Sequence, residues 1–476
     1  MTSDSQEAKQ HLLPIPPRFR WLRNGTAAFV VLFLVLVGLR VYWGLEAQVR
    51  LAEIHRAASA RHEPFLPEDF RQPSVPDAEN AAVPIQEAID QTDRMGRSDD
   101  RQLDKWDNTP PVESDLPKME AIVAKYRPEM QLVHTARSLP QTSWESIPTF
   151  PGDLPHLTHL SANRKLARVF ILSAKLKRAQ RLDGLAIEAV EDELVLTEAS
   201  DTTYPTVLTH LIALGMSSLG TNFICTSAMS LTISEKSSSG ATPEQVRALI
   251  ESLLDERKLT GAAVRDFQGE RAIVIDSIPK FVSLTGSAQW MMLEPMYQMD
   301  GVRIAQLRTA EAEGCRQTNW VTARSKLKHR HRYTGSNLEE LAHRMSLVLE
   351  EPMDRAVQYH FRALTERRAA AIMLALRLYQ IDHQGALPES LSQLVPKYLP
   401  AIPKDPFDPA DGGIRYLPHG NPPAIYSVGT DGVDNHCSQK ASPNAGLVNP
   451  PWLTEDAVFS LVPTPRIAPP GSQPSN

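Results

Sequence analysis

An uncharged apolar run near the N-terminus constrains this chain more than any other feature. Residues Ala27–Leu39 contain no charged side chain. With its flanks, residues 25–45, the run reaches roughly 20 residues, about 30 Å as a helix, which is the thickness of a bilayer core. Trp21 lies before the run, and Tyr42 and Trp43 follow it, as aromatic residues do at membrane interfaces. The pattern predicts a single transmembrane helix over residues 25–45.

Basic residues lie on both sides of this span, with a small excess before it. Those before it are Lys9, Arg18, Arg20 and Arg23, and those after it are Arg40, Arg50 and Arg56. The excess favours an N-terminus inside the cell. We therefore expect residues 1–24 to be a cytoplasmic tail, and we expect a single-pass protein of the cell membrane with the bulk of its chain extracytoplasmic. A cleaved signal peptide, cut near Leu45–Ala47, is the alternative.

Composition sets the class of protein and limits its partners. With 476 residues and 42% hydrophobic content, the chain is long and apolar enough for two or three globular domains. A net charge of −6 argues against a nucleic-acid partner. Three cysteines, Cys225, Cys315 and Cys437, are too few for a disulfide framework. The sequence leaves open whether two of them pair.

The middle of the chain, residues 46–350, predicts a mainly α-helical domain. Apolar residues recur there at helical spacing, for example at Leu166, Val169 and Phe170. Thr242, Pro243 and the residues after them form a strong helix start signal, with a capping Thr and a Pro in the first turn. A polar stretch near residues 94–117 predicts a flexible segment. Successive helices with short turns favour an array of α-helical hairpins.

The C-terminal part predicts a small α+β domain over residues 353–437. An apolar helix face over Ala370–Tyr379 precedes a Gly at 385 that suits a helix end. Two short strands are expected over Ile414–Leu417 and Ala424–Val428. Residues 438–476 are rich in proline and predict a tail. The fold class is therefore mainly α, with one transmembrane helix, a helical hairpin array and a small α+β domain.

This C-terminal order of helix, proline turns and strands resembles the globular domain of the major pseudopilin of type II secretion. The resemblance rests on the block from Arg367 to Asp434 and its closing segment Tyr426–Gly432. It implies a binding and assembly module and, after the last strand, a calcium site. The residues that match that site are Asp431 and, by position, Asp434. The acidic run of the family is missing after Asn435, so a plain Asp-Gly turn is the alternative.

The whole chain also resembles a group of uncharacterised bacterial membrane-anchored envelope proteins. The residues that carry this resemblance are Pro76–Ala82, the helical middle over Leu166–Ala272, and Arg367–Asp434. A pseudopilin has a Glu within its apolar helix and a Gly-Phe cleavage junction before it. Ala27–Leu39 has neither, so we do not expect this chain to be assembled as a pilin.

These features favour a membrane-anchored envelope scaffold or interaction protein with a reused pseudopilin-like domain. Its expected partners are the lipid bilayer and another protein. The sequence contains no nucleophile elbow, phosphate loop or zinc-protease motif, and it names no catalytic or cofactor-binding residue. The alternative is an envelope enzyme whose active site, in the helical domain, is assembled from scattered residues.

The calcium site can be tested by thermal unfolding. If Ca²⁺ binds the folded chain at Asp431 and Asp434, the melting temperature climbs with free Ca²⁺ by mass action. We expect weak affinity, roughly 10⁻⁴ to 10⁻³ M, as in extracellular modules. Asp431→Ala abolishes that rise while leaving helix content unchanged. A melting curve indifferent to millimolar Ca²⁺ supports the plain turn instead.

Overall fold

The chain folds as a mainly helical protein with one small antiparallel sheet, which confirms the expected fold class at that level. The computed structural model describes residues 20–95, 99–107, 111–144, 154–235, 239–285, 288–328, 344–442 and 451–466. The predicted cytoplasmic tail lies almost wholly outside the described residues.

Thirteen α-helices are described in chain order, together with three strands. The first seven helices are α1 Arg20–Ala60, α2 Ala82–Arg94, α3 Asp100–Asp107, α4 Leu116–Lys125, α5 Arg127–Ala136, α6 Leu154–Ala179 and α7 Asp183–Ser200. The next six are α8 Val207–Ser227, α9 Pro243–Leu254, α10 Arg257–Thr285, α11 Ala288–Cys315, α12 Trp320–Lys328 and α13 Arg344–Asp382. The strands are β1 Arg415–Leu417, β2 Ala424–Ser427 and β3 Ala457–Ser460.

Two of these helices, α1 and α8, are long and apolar enough to cross a membrane. They differ in how the rest of the chain covers them. The most apolar window of α1 is 0% buried, whereas 61% of the corresponding window of α8 is buried in the protein core. Apolar side chains on α1 such as Phe29 and Leu32 are exposed. The α8 helix is thus part of the protein core, and α1 contains the segment predicted to span the bilayer.

The segment near residues 94–117, expected to be flexible, contains the short helix α3. Leu103 and Trp106 lie three residues apart on one face of α3, and both are buried. They pack against Met119 and Tyr126 of the next helical region and against α6. The polar composition of the segment reflects its outer face, while two large apolar side chains are enough to anchor α3 to the core.

The start of α9 confirms its sequence signal. The side chain of Thr242 accepts a hydrogen bond from the Gln245 amide at 3.1 Å, and Pro243 occupies the first helical position. This caps one of the amides that a helix N-terminus otherwise leaves unpaired.

Asn80 explains the Pro76–Ala82 element. Its side-chain oxygen accepts from the Ser143 amide at 2.9 Å, and its side-chain nitrogen donates to the Ser143 carbonyl at 3.0 Å. The Ala81 amide also donates to the Gln141 carbonyl at 2.8 Å. The element therefore joins the start of α2 to the chain that follows α5.

The longest helix of the core is α13, and it extends well before the predicted helix over Ala370–Tyr379. The eight consecutive residues Ala369–Leu376 are all 0% exposed, so every side of the helix is covered. It packs against α8, α9 and α11 and also against β2. Among the described residues, one connected cluster of buried apolar side chains has members from Ala81 to Leu461. The predicted boundary at residue 353 thus falls inside α13, where the core continues on both sides.

The sheet contains both predicted strands and a third one. β2 pairs antiparallel with β1, with Tyr416 opposite Ile425, and it pairs antiparallel with β3, with Ile425 opposite Phe459. β3 comes from residues predicted as a Pro-rich tail. The alternation of Ala457 and Phe459, which are buried, with half-buried neighbours is a strand pattern only four residues long.

A buried ion pair joins the last described residues to the helical domain. The guanidinium of Arg466 contacts both oxygens of Asp183, at 2.8 and 2.7 Å. Asp183 is fully buried at the start of α7, and it also accepts from the Thr232 amide at 2.8 Å. Because Arg466 also donates to the carbonyls of Arg178 and Ser230, the C-terminal segment is bonded to the end of α6, the start of α7 and the turn that follows α8.

Replacing Asp183 by Ala should therefore destabilise the whole protein. The change removes the carboxylate that pairs with the Arg466 guanidinium and accepts from the Thr232 amide. We therefore expect a loss of about 3 kcal/mol in the free energy of unfolding. Chemical denaturation in detergent measures it. The matched control is Asp255→Ala, which removes a two-bond pair with Arg257 on the surface and should destabilise the protein much less than Asp183→Ala. Equal losses in the two variants contradict this account.

Candidate functional site

Three buried residues from separate helical regions converge within the helical domain. Asp201 directly follows α7, His210 lies in the first turns of α8, and Asp266 lies in α10. One ligand-type atom from each lies within 4.8 Å of the other two. Each of the three side chains is at most 3% exposed. We refer to Asp201, His210 and Asp266 as the Asp–His cluster.

Local structure brings His210 back to Asp201. The turn between α7 and α8 ends at Thr206, whose side chain accepts from the Thr209 amide at 3.3 Å and caps α8. His210 then donates from Nδ1 to the Asp201 carboxylate, at 3.0 and 3.1 Å from its two oxygens. This hydrogen bond fixes the orientation of the ring.

Several polar atoms of this region have no hydrogen-bond partner among the described residues. They are Nε2 of His210, both carboxylate oxygens of Asp266 and both ring nitrogens of His360. His360 comes from α13, is fully buried, and has its ring centroid 5.7 Å from that of His210. Buried polar atoms are nearly always paired, so this concentration of unpaired atoms singles out the region as the candidate site.

The electrostatics of the cluster follow from burial. Burial, reinforced by the neighbouring Asp201 carboxylate, raises the pKa of Asp266 well above its usual value. Burial also lowers the pKa of His360 well below its usual value, and His210 and Arg368 act in the same direction. His360 is therefore a neutral imidazole, with a lone pair available on one nitrogen.

The nearest cation, Arg265, does not bond to the cluster. It donates to the Thr202 carbonyl at 3.4 Å, and its guanidinium lies 5.8 Å from the Phe70 ring centroid. Burial lowers the pKa of Arg265, partly offset by Asp266 and Asp201. Its charge thus favours ionised aspartates from nearby without supplying the missing hydrogen bonds.

A cavity of about 480 Å³ adjoins the cluster through Asp201. Its cationic lining residues are Arg137, Arg257, Lys258, Arg265 and Arg367. Several of these charges are already paired, for example Lys258 with Glu198 at 2.9 Å. The chemistry available at this place is that of two carboxylates and two imidazoles: they can hold a divalent cation or share a proton.

The residues predicted to bind calcium lie elsewhere, beside the sheet. Asp434 pairs with Arg415 at 2.7 Å and accepts from the Tyr426 hydroxyl at 3.3 Å. Asp431 accepts from the Val433 amide at 3.0 Å, which makes the expected turn. Burial opposes ionisation of Asp434, yet the His436 amide and Arg415 lower its pKa overall. The calcium site stays a prediction, and a bound Ca²⁺ would compete with the Arg415 guanidinium.

Gly429 shows why the turn before Asp431 needs glycine. It has a positive φ of 73°, and a Cβ there would lie 2.2 Å from the Glu455 carbonyl oxygen. The glycine thus lets the chain that leads into β3 pass close to the loop.

Sequence reasoning did not find the Asp–His cluster. Its members are far apart along the chain and form no spaced motif, and each lies in a segment with an ordinary helical pattern. The one local signal is the pair Asp201 and His210 on either side of a Tyr-Pro-Thr turn, which many helical connections would also show. Only the packing of α7, α8, α10 and α13 brings the side chains together.

Comparisons of the chain with protein-family models, with curated proteins and with solved structures found no match.

A separate buried acid, Glu193 of α7, predicts a pH dependence of stability. Burial raises the pKa of Glu193 to about 8, opposed mainly by the Thr197 hydroxyl, against 4.5 for an ordinary glutamate. The folded chain therefore holds a proton that the unfolded chain releases above pH 4.5. The stability that this proton contributes is complete below that pH and is lost as the pH rises towards 8.

Glu193→Gln should remove this dependence. Relative to the variant, the wild type should lose up to about 1.4 kcal/mol per pH unit between these two values. Denaturation at pH 5 and pH 8 measures the difference. The control is Glu244→Gln on the exposed face of α9. Its free energy of unfolding should differ from that of the wild type by the same amount at pH 5 and at pH 8. Parallel pH profiles for wild type and Glu193→Gln contradict the assignment.

Proposed function

We propose that this chain is a membrane-anchored scaffold or interaction protein of the cell envelope. In this proposal a single anchor holds the helical domain, with its pseudopilin-like C-terminal element, outside the cytoplasm. The observation that carries the proposal is the continuity of α1. One uninterrupted helix, Arg20–Ala60, contains both the exposed apolar segment and a segment that packs on the body of the protein.

The packed half of α1 lies against α11. Ala47 is buried with Met299 and Val302, and Trp43 and Leu51 pack around them. At the end of α1, the largely buried carboxylate of Glu63 pairs with Arg61 and Arg316, both at 2.9 Å, and with Arg271 at 3.5 Å. Arg271 also donates to the Pro64 carbonyl at 2.7 Å. These bonds support a rigid attachment of the helical domain to its anchor.

The closed character of the interior supports a role in interaction rather than in turnover. The Asp–His cluster is almost wholly buried, and α13 behind it is covered on every side over Ala369–Leu376. An enzyme must bring its reacting groups to a substrate, whereas a scaffold presents surfaces.

An envelope enzyme is the second candidate, and one observation favours it. The cavity beside Asp201 has a cationic lining, which suits an anionic substrate. Turnover of a phosphoester by the purified full-length chain, lost in Asp201→Asn, would establish this candidate over the scaffold.

The anchor is tested by placing charge in it. Leu32 and Leu36 are exposed on α1, and each arginine in the middle of a membrane span costs about 2.5–3.5 kcal/mol. We expect the double variant Leu32→Arg, Leu36→Arg to move from the carbonate-resistant membrane fraction to the soluble fraction. The control Leu185→Arg alters an exposed leucine of α7 and should stay with the membrane. Extraction of the wild type by carbonate contradicts anchoring.

Orientation and interaction need two further measurements in cells. A C-terminal reporter that is active only after export should be active, and a reporter active only in the cytoplasm should not. Cross-linking in intact membranes should recover the same protein partner repeatedly. Because Asp183→Ala destabilises the helical domain, cross-linking of this variant should no longer recover the partner. Recovery of no protein partner from the wild type contradicts the interaction role.

A further inference from the structure

The Asp–His cluster leaves bonding capacity that protein groups do not use. His210 uses only Nδ1, on Asp201, while its Nε2 has no partner in the described chain. Both oxygens of the fully buried Asp266 also lack a donor there. Leaving such groups unpaired in the interior costs far more than placing them on the surface, so a further positive group is expected between them.

Charge leads to the same expectation. Asp201 and Asp266 are two buried carboxylates within a cluster 4.8 Å across, and a cation between them would relieve the repulsion of two negative charges at this distance. The charged groups that face them are Arg265, which bonds to Thr202, and Glu270, which adds further negative charge. Arg308, the guanidinium next to Glu270, pairs with Glu311.

We infer that Asp201, His210 and Asp266 bind one divalent transition-metal ion of the zinc class. A bound ion would take the place of the contact between His210 Nδ1 and Asp201, whose 3.0 Å separation is close to that of two ligands on one small ion. One imidazole with two carboxylates suits zinc and neighbouring first-row ions. Ca²⁺ fits poorly, since it needs six to eight oxygens and two carboxylates supply at most four.

His360 stands beside this site as the second imidazole. It is fully buried with both nitrogens unpartnered in the described chain, and its ring faces that of His210 across 5.7 Å between centroids. A bound ion would tie the end of α7 to α8 and to α10, a structural role that does not depend on the proposed function.

The competing arrangement is a proton in place of the ion. A protonated Asp266 would donate to Asp201 and meet part of the same need. The two arrangements respond differently to Asp266→Asn, because the amide of Asn imitates a protonated acid but carries no charge for a metal.

The experiment uses the full-length chain in detergent, stripped with a chelator and then freed of it. Titration with Zn²⁺ should leave one equivalent bound after gel filtration and raise the melting temperature by several degrees. Co²⁺ should give the visible absorption bands of a low-coordinate protein site. A stripped wild type that retains no Zn²⁺ and melts at the same temperature with and without it overturns the inference.

The variants separate the metal from the proton. If a metal binds, Asp266→Asn retains no Zn²⁺. Even with Zn²⁺ added, the variant then melts at the temperature of the stripped wild type without Zn²⁺. With a shared proton, Asp266→Asn melts like the wild type, and neither responds to Zn²⁺. If the variant does not fold, the Zn²⁺ stoichiometry and Co²⁺ spectrum of the wild type still decide.

A matched control exists on the surface. His134 contacts Asp192 through Nδ1 at 3.0 Å, as His210 contacts Asp201, but the His134 side chain is 59% exposed. His134→Ala should keep the bound equivalent and the full rise in melting temperature. Loss of Zn²⁺ in this control would move the site to the surface pair and overturn the assignment.

Discussion

The complete enclosure of α13 is the constraint on which the rest of this structure depends. A helix with eight successive residues at zero exposure needs neighbours on every side, and α8, α9, α11 and the sheet supply them. Removing any covering element exposes apolar surface of the central helix, which is why the core extends from Ala81 to Leu461.

Enclosure also forces α13 to satisfy its polar residues internally. Arg367 donates to the carbonyls of Ser252 and Leu253, at 2.6 and 3.0 Å, and so caps the C-terminal end of α9. Glu366 accepts from the Trp452 indole at 2.7 Å, which fixes the segment before β3. His360 is the member of this series without a partner among the described residues, and it lies beside the Asp–His cluster. Arg367 and Glu366 thus specify where α9 and the segment before β3 dock on α13.

The parts that could be predicted from sequence are those with a local cause. The apolar run in α1, the Thr242 cap and strands β1 and β2 each follow from periodicity or capping within a few residues. β3 could not be foreseen, because four residues of strand inside a proline-rich segment carry little periodic signal. The Asp–His cluster has no local cause, since its geometry arises from tertiary packing. The expected separation of the C-terminal domain rested on its own helix face, helix end and strands, whereas α13 belongs to both parts.

The length of α1 has a mechanical consequence. At 1.5 Å per residue its 41 residues extend about 60 Å, roughly twice the apolar thickness of a bilayer. The second half of α1 packs on α11 and is held by the arginines that pair with Glu63. The proposed anchor therefore cannot act as a flexible tether. It acts as a rigid helix that sets both the distance of the domain from the membrane and its orientation. The domain would then meet neighbours by lateral diffusion in the plane, always offering them the same sides.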